Sequence, residues 1–301
     1  MKTQPLWGID LGGTKIEGVV LPSQDTITPI CRLRISTEAD QGYDHLVQRI
    51  QTMLEMLEEA SGEKCPAIGV GTPGRVDPKT HLMMNCNTTA LNGKPLETDL
   101  TTALGLPVMI ANDANCFALA EANLGAARGA STVFGVIMGT GVGGGIVIDG
   151  KCLPGVQGIA GEWGHNVLER DGEPCYCGKR GCVETVLSGP ALERRYLRRT
   201  GVQLPLSEIA VRARSGDSES QETISHLISK FGEALSVVVN ILDPEVVVLG
   251  GGVGNVDELY TQGLDSLYEW IFSPSPETKL VRPSLGDSAG VFGAAHLTSY
   301  L

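Results

Sequence analysis

Between His165 and Cys182 the sequence places one imidazole and three thiols: His165, Cys175, Cys177 and Cys182. Three thiolates and an imidazole fill all four positions of tetrahedral zinc. No position is left for water, which predicts a structural rather than a catalytic ion. Gly178 and Gly181 supply the tight turns that bring the thiols round one point. Cys175 and Cys177 are separated by one residue, so a redox C-x-x-C pair is absent. The other reading of the cluster is a set of reduced surface thiols. Structural zinc contributes on the order of 10 kcal/mol to local folding, enough to hold a loop poor in apolar residues. Glu162 and Glu184 flank this loop. Held rigidly, their carboxylates could accept hydrogen bonds from vicinal hydroxyls, as a sugar offers; the alternative is two solvated surface acids.

Two glycine-rich stretches carry the other candidate chemistry. Asp10-Leu-Gly12-Gly13-Thr14-Lys15 joins a strand at Leu6–Asp10 to one at Ile16–Leu21. A glycine turn between strands is a hairpin, not the strand-to-helix turn of a P-loop. Its N–H groups can still nest phosphate oxygens, with Thr14 and Lys15 as further donors and Asp10 placed to hold hydrated magnesium. The second stretch runs Gly139-Thr140-Gly141-Val-Gly-Gly-Gly145, between strands predicted at Thr132–Met138 and Ile146–Asp149. Gly139, Gly141 and Gly144 match G-x-G-x-x-G, but a dinucleotide site requires a helix next, and a strand follows. The two stretches read as an internal duplication: two related hairpins able to grip a polyphosphate. An ordinary glycine hairpin is the alternative at each.

Asp113 stands where a strand at Pro107–Ala111 turns into a helix predicted over Ala114–Ala126. That position suits a helix N-cap and equally a general base. The turn Gly71–Gly74 closes a strand at Ala67–Val70 and lets backbone approach a ligand. Asn87, in a polar loop, offers a donor and an acceptor. Gly250–Gly252, after the strand through Leu249, could let a flat heterocycle lie on backbone.

The chain has 301 residues, 42% hydrophobic and 19% charged, which fits a globular protein with room for two lobes. Its net charge of −12 opposes nucleic-acid binding. The nearest basic cluster, Arg194, Arg195, Arg198 and Arg199, has the spacing of a solvated helix face. Cys31, Cys65, Cys86, Cys116 and Cys152 sit mostly among apolar or small neighbours, as free thiols do in a reducing cytoplasm. No signal-peptide core and no membrane-length apolar run are present. Further helices are predicted at Tyr43–Ala60, Leu96–Ala103, Gly189–Thr200, Ser207–Ser215, Ser220–Leu242, Val256–Ile271 and Ala289–Leu297, with another strand at Ile30–Ile35. The small residues of the last helix suit close packing on a sheet. Three strands, a helix and a strand suit one half of an actin-like domain. The first half-pattern ends near Asn112.

Gly161-Glu-Trp-Gly-His165 followed by Cys-Tyr-Cys-Gly-Lys-Arg-Gly-Cys182 resembles the signature of the ROK family of bacterial sugar kinases and repressors. DLGGTK, GTPGRV, ANDAN, GTGVGGG, GEWGH, CYCGKRGC and LGGGV occur in that family's order along essentially the whole chain. The resemblance implies an α/β, duplicated actin-like (hexokinase-type, ASKHA) fold. An N-terminal lobe would span 1–112, with the helix of about 289–301 returning to it, and a larger lobe 113–288 would carry the zinc loop 165–182. It implies transfer of the γ-phosphoryl of ATP, with Mg²⁺, to a hexose 6-hydroxyl. Asp113 would be the base. Asn112, Glu162, His165 and Glu184, with Asn87 and Gly74, would contact the sugar, and His165 would turn one ring nitrogen to zinc and one to sugar. Gly12, Thr14, Thr140 and Gly141 would contact phosphate, and Gly251 and Gly252 adenosine. CNTTALNGKPL, ANDANCFALAEA and GEWGHN are most similar to fructokinases of the manno(fructo)kinase type, with Trp163 and Asn166 as fructokinase-like choices. Fructose is the expected substrate on that basis, with mannose, glucose or N-acetylglucosamine as alternatives. A homodimer is also implied. The family's repressors carry a DNA-binding domain ahead of DLGGTK; here nine residues precede Asp10, and the expectation is a kinase without nucleic-acid or membrane partners.

Overall fold

The structure is a computed structural model and describes residues 4–300. By packing, the chain forms two compact units. The first comprises the chain through Gly129, then Gly145–Ala160 and the stretch from Ser284; the second comprises Ala130–Gly144 and Gly161–Pro283. This partition puts the helix opened by Asp113 with the N-terminal strands, whereas the sequence reading ends the first lobe at 112. The C-terminal helix lies in the first unit.

The first sheet contains β1 (Leu6–Leu11), β2 (Lys15–Leu21), β3 (Cys31–Ser36), β4 (Ile68–Thr72) and β5 (Val108–Asn112) in the order β3-β2-β1-β4-β5. β1 pairs antiparallel with β2, and β2 with β3, while β4 runs parallel to both β1 and β5. Trp7, Ile9 and Leu11 of β1 are buried together with Leu46, Ile50, Met53 and Leu57 of α1 (Tyr43–Ser61). These α1 residues recur at the three- and four-residue spacing of one helix face. Helices α2 (Leu96–Leu104) and α3 (Asp113–Asn123) follow β4 and β5 in sequence. A side chain at Gly69 would collide with Ala294 O of the C-terminal helix (Ala289–Leu297), so that helix lies directly on the sheet backbone.

The second sheet repeats the order. β6 (Thr132–Met138), β7 (Val142–Ile148), β8 (Lys151–Cys152), β9 (Val246–Gly250) and β10 (Lys279–Val281) lie as β8-β7-β6-β9-β10. β9 runs parallel to β6 and β10, and β7 antiparallel to β8. The duplication expected from the two hairpins therefore extends to both five-stranded sheets. The turn of the second hairpin is shorter than the glycine count predicts, because Gly143, Gly144 and Gly145 lie within β7. Gly144 and Gly145 serve close approach rather than turning: a Cβ at Gly144 would stand 2.6 Å from Gly161 O, and one at Gly145 2.7 Å from Ala114 O.

The second unit also holds α4 (Val183–Leu187), α5 (Gly189–Thr200), α6 (Leu206–Arg214), α7 (Ser218–Leu242) and α8 (Gln262–Trp270); the C-terminal helix is α9. The single helix expected over Val256–Ile271 is broken: a 3-10 turn, Asp257–Tyr260, precedes α8, with Thr261 at φ −121°, ψ −87° between them. α4 was not foreseen; five residues are too few to show a period. Among the described residues no helix is long and apolar enough to cross a membrane.

Candidate functional site

The residues singled out by sequence divide between the two units, and each set is described within its own unit. In the first, Asp10 lies near the end of β1, paired with Glu17 on β2 and with Gly71 on β4. A Cβ at Gly71 would approach its carboxylate to 3.2 Å, and one at Gly290 of α9 to 2.9 Å. Two glycines thus leave the room this carboxylate occupies. Burial, then the neighbouring Asp113 and Glu17 carboxylates, push the Asp10 pKa up to about 6 against the pull of Lys15. A cation beside Asp10 would relieve that cost, and oxygen donors suit Mg²⁺.

Asp113 is the first residue of α3, and Asn112 occupies the N-cap. Asn112 Oδ1 accepts the Ala114 N–H at 2.8 Å, and Asp113 Oδ1 accepts the same N–H at 2.7 Å. Both candidates thus share the start of the helix, where its partial positive charge favours a carboxylate. The cap position expected of Asp113 belongs to its neighbour.

The Gly12-Gly13-Thr14 turn is held from within. Gly12 N–H donates to Lys15 O at 3.0 Å, and Thr37 donates through Oγ1 to Gly12 O at 2.7 Å and through N–H to Thr14 O at 3.0 Å. With those carbonyls engaged, Gly13, Thr14 and Lys15 remain exposed. Asn87 is also exposed, its N–H donating to Pro73 O at 3.1 Å. Gly74 is buried, and a side chain there would collide with Cys86.

In the second unit, one donor atom from each of His165, Cys175, Cys177 and Cys182 lies within 4.8 Å of the others. Cys175 Sγ is 3.6 Å from His165 Nδ1, and Cys177 Sγ is 3.6 Å from Cys182 Sγ. Bonds of about 2.3 Å to sulfur and about 2.0–2.1 Å to nitrogen give tetrahedral zinc edges of about 3.6 Å (S–N) and about 3.8 Å (S–S). Two of the six donor–donor distances match those edges, and the donor set suits a zinc ion. His165 turns its other nitrogen, Nε2, to Tyr176 Oη at 2.9 Å, with Glu162 at 4.0 Å. The two ring nitrogens thus face different sides, Nδ1 toward the thiols and Nε2 toward Tyr176 and Glu162.

Glu184 is fastened to the second hairpin. Its Oε2 accepts the Val142 N–H at 3.0 Å, and a Cβ at Gly141 would stand 2.7 Å from that oxygen. Trp163, read as a mark of a fructose-type pocket, is a core residue. It is 3% exposed, its indole N–H donates to Ala234 O at 3.1 Å, and its ring meets Phe134 edge-on at 6.2 Å.

A cleft of about 650 Å³ opens in the second unit, within the usual range for small-ligand sites. Three of the candidate nucleotide contacts, Gly139, Thr140 and Gly252, line it. Gly141 lies under Glu184 instead. Gly251, at φ +80°, turns the chain where any side chain would collide with Met138 O. The other wall comes from α5 and α6, through Pro190, Glu193, Pro205, Leu206 and Ala210. Nothing in those residue types announces a ligand; only the fold gathers them.

The family model described as "ROK family" matches residues 6–300. The chain belongs to the ROK family. An N-acetyl-D-glucosamine kinase of Vibrio cholerae is 35% identical, with 97% of this chain and 98% of that one covered. A ROK hexokinase from Thermus thermophilus superposes with a TM-score of 0.89 at 32% identity, covering 99% of each chain. A ROK family glucokinase from Streptomyces griseus, solved with glucose and AMPPNP, superposes with a TM-score of 0.77 at 29% identity, covering 98% of this chain and 99% of that one. The ROK resemblance drawn from the motifs is borne out, and with it the duplicated hexokinase-type fold.

Proposed function

We propose that this ROK protein is an ATP-dependent hexose kinase that phosphorylates the 6-hydroxyl of an aldohexose, glucose or N-acetylglucosamine, in preference to fructose. The observation that carries the reading is the pair of carboxylates in the first unit: Asp113 at the start of α3, close enough to Asp10 to raise its pKa. Asp113 takes the proton of the attacking hydroxyl as the phosphoryl group arrives, worth about 10²–10⁴ in rate. Asp10 would hold the hydrated magnesium that accompanies ATP, which would supply positive charge to the phosphoryl oxygens.

Gly12, Gly13, Thr14 and Lys15 in the first unit, and Gly139, Thr140 and Gly141 in the second, are the proposed phosphate contacts. Gly251 and Gly252 adjoin the adenosine. The proposed sugar contacts are Asn112, Asn87 and Gly74 in the first unit and Glu162, His165 and Glu184 in the second. Zinc, held by His165, Cys175, Cys177 and Cys182, supplies rigidity to the loop rather than chemistry. The fructose expectation rests on the CNTTALNGKPL, ANDANCFALAEA and GEWGHN motifs, and the buried Trp163 within the last is not exposed to contact a sugar. The sugars named for the relatives above favour the aldohexoses. As a ROK kinase the protein works as a homodimer in the cytoplasm; light scattering of purified protein checks the assembly.

The test is ADP release with Mg-ATP against glucose, N-acetylglucosamine, N-acetylmannosamine, mannose and fructose, compared by kcat/KM. Glucose or N-acetylglucosamine should lead. A dominant fructose rate overturns the substrate assignment, and silence on all five overturns the kinase reading.

A further inference from the structure

Only two of the side chains lining the cleft of the second unit are charged, Glu193 and Arg214. Arg214 is already committed. Its Nε and Nη2 donate to Glu258 at 2.8 and 2.9 Å, and Nη2 lies 3.0 Å from Asp257. Glu193 is not. Its Oε1 accepts the Leu206 N–H at 2.9 Å, and among the described residues nothing else pairs with the carboxylate. That one bond ties Glu193 to the first residue of α6 and fixes the side chain at the cleft wall.

Its place along the cleft follows from α5. Gly189 opens that helix and donates its N–H to Gly139 O at 2.9 Å, so the helix begins against the glycine hairpin. Glu193 stands four residues on, about 6 Å along the helix axis. A polyphosphate is repelled by this carboxylate and belongs at the hairpin end, with Gly139 and Thr140. A base finds apolar surface on Leu206, Ala210, Val253 and Val256. Between the two, a half-buried carboxylate can only accept hydrogen bonds, and the donors a nucleotide carries there are its ribose hydroxyls.

We propose that Glu193 accepts a hydrogen bond from the ribose of the bound nucleoside triphosphate and so selects ribonucleotides over deoxyribonucleotides. This rests on the reading of the cleft as the ATP site. The experiment measures kcat/KM at saturating hexose for ATP, 2′-deoxy-ATP and 3′-deoxy-ATP, with calorimetric binding of the same three, in wild type, Glu193→Gln and Glu193→Ala. Glu193→Gln keeps an oxygen for the Leu206 N–H, so the α6 tether survives and the variant isolates the charge.

A hydrogen bond to a charged acceptor makes wild type prefer ATP over at least one deoxy analogue by about 10- to 150-fold. Glu193→Gln should cut that preference at least about fivefold, toward the worth of a neutral bond, and Glu193→Ala should abolish it. Wild type that treats all three nucleotides alike, or a Glu193→Gln enzyme as selective as wild type, overturns the role of Glu193 while leaving the kinase reading intact. Wild type that neither turns over nor binds ATP overturns both.

Discussion

Replacing Asp10 by Asn should make the protein more stable while disabling it. Asp10 is raised from 3.8 to about 6, chiefly by burial and then by Asp113 and Glu17. The folded state therefore holds this proton over a pH range where the unfolded chain has released it. Stability must fall as pH rises from about 4 to 6 and stay low above that. At 1.36 kcal/mol per unit the full cost is about 3 kcal/mol. At pH 5 about 1.6 kcal/mol of it is already present, and at pH 7.5 essentially all of it.

Asn is close in size and carries no charge, and Asp10 accepts no hydrogen bond that Asn would forfeit among the described residues. Urea unfolding of wild type and D10N, without nucleotide or added magnesium, should show D10N ahead by about 1.6 kcal/mol at pH 5 and about 3 kcal/mol at pH 7.5. Phosphoryl transfer by D10N should be lost in parallel. A D10N protein no more stable than wild type at pH 7.5 refutes the reasoning. So does a gap that does not widen between the two pH values, because a pH-independent gain would come from packing.

Three further outcomes are expected. Asp113→Asn should lower kcat by about 10²–10⁴ with ATP binding by calorimetry unchanged; near-normal turnover would dismiss it as the base. His296, buried on α9 with its Nε2 unpartnered among the described residues, is lowered to about 4 by burial. The unfolded chain takes up that proton first as pH falls below about 6.5, so stability drops toward pH 4; at pH 5 the loss is about 2 kcal/mol, and His296→Leu should remove it in unfolding curves. Metal analysis should find one zinc per chain; chelating it, or Cys182→Ser, should release the loop to proteolysis and weaken ATP binding, and a zinc-free protein with full activity would exclude the structural ion.

Legibility in the sequence tracked how far a residue's type fixes its neighbours. The metal cluster was readable because thiols and an imidazole at that spacing have little else to do, and their donor atoms do converge. The duplication was readable because both hairpins carry glycine turns between apolar strands. Glycine itself misled at Gly143–Gly145, since a turn and a strand pressed against a neighbour both require a missing side chain. Only the packing of Gly144 on Gly161 O distinguishes them. Burial of Trp163 was not legible: a motif position beside a candidate site residue shows nothing of which way its side chain faces, and this indole donates to Ala234 O. The cleft wall of α5 and α6 was invisible, because Pro190, Pro205 and Leu206 are chemically unremarked until the fold assembles them. The return of Gly145–Ala160 to the first unit is likewise a long-range packing outcome, which no local pattern encodes.

Glu184 joins two of these features, the His/Cys cluster and the second glycine hairpin. It follows Cys182 by two residues, at the start of α4. Its Oε1 is 4.0 Å from Cys175 Sγ, while Oε2 holds the Val142 N–H just after the second glycine turn. Gly141 cannot gain a side chain without striking that same oxygen. One carboxylate therefore carries the rigidity of the thiolate loop into the hairpin proposed to grip phosphate. A glycine turn alone is costly to hold in one conformation; the end of Gly139–Gly141 is tied through Val142 to Glu184, some forty residues on in sequence. A zinc ion on those four ligands would therefore stiffen the hairpin proposed for the nucleotide as well as the loop proposed for the sugar, with Glu184 as the shared anchor.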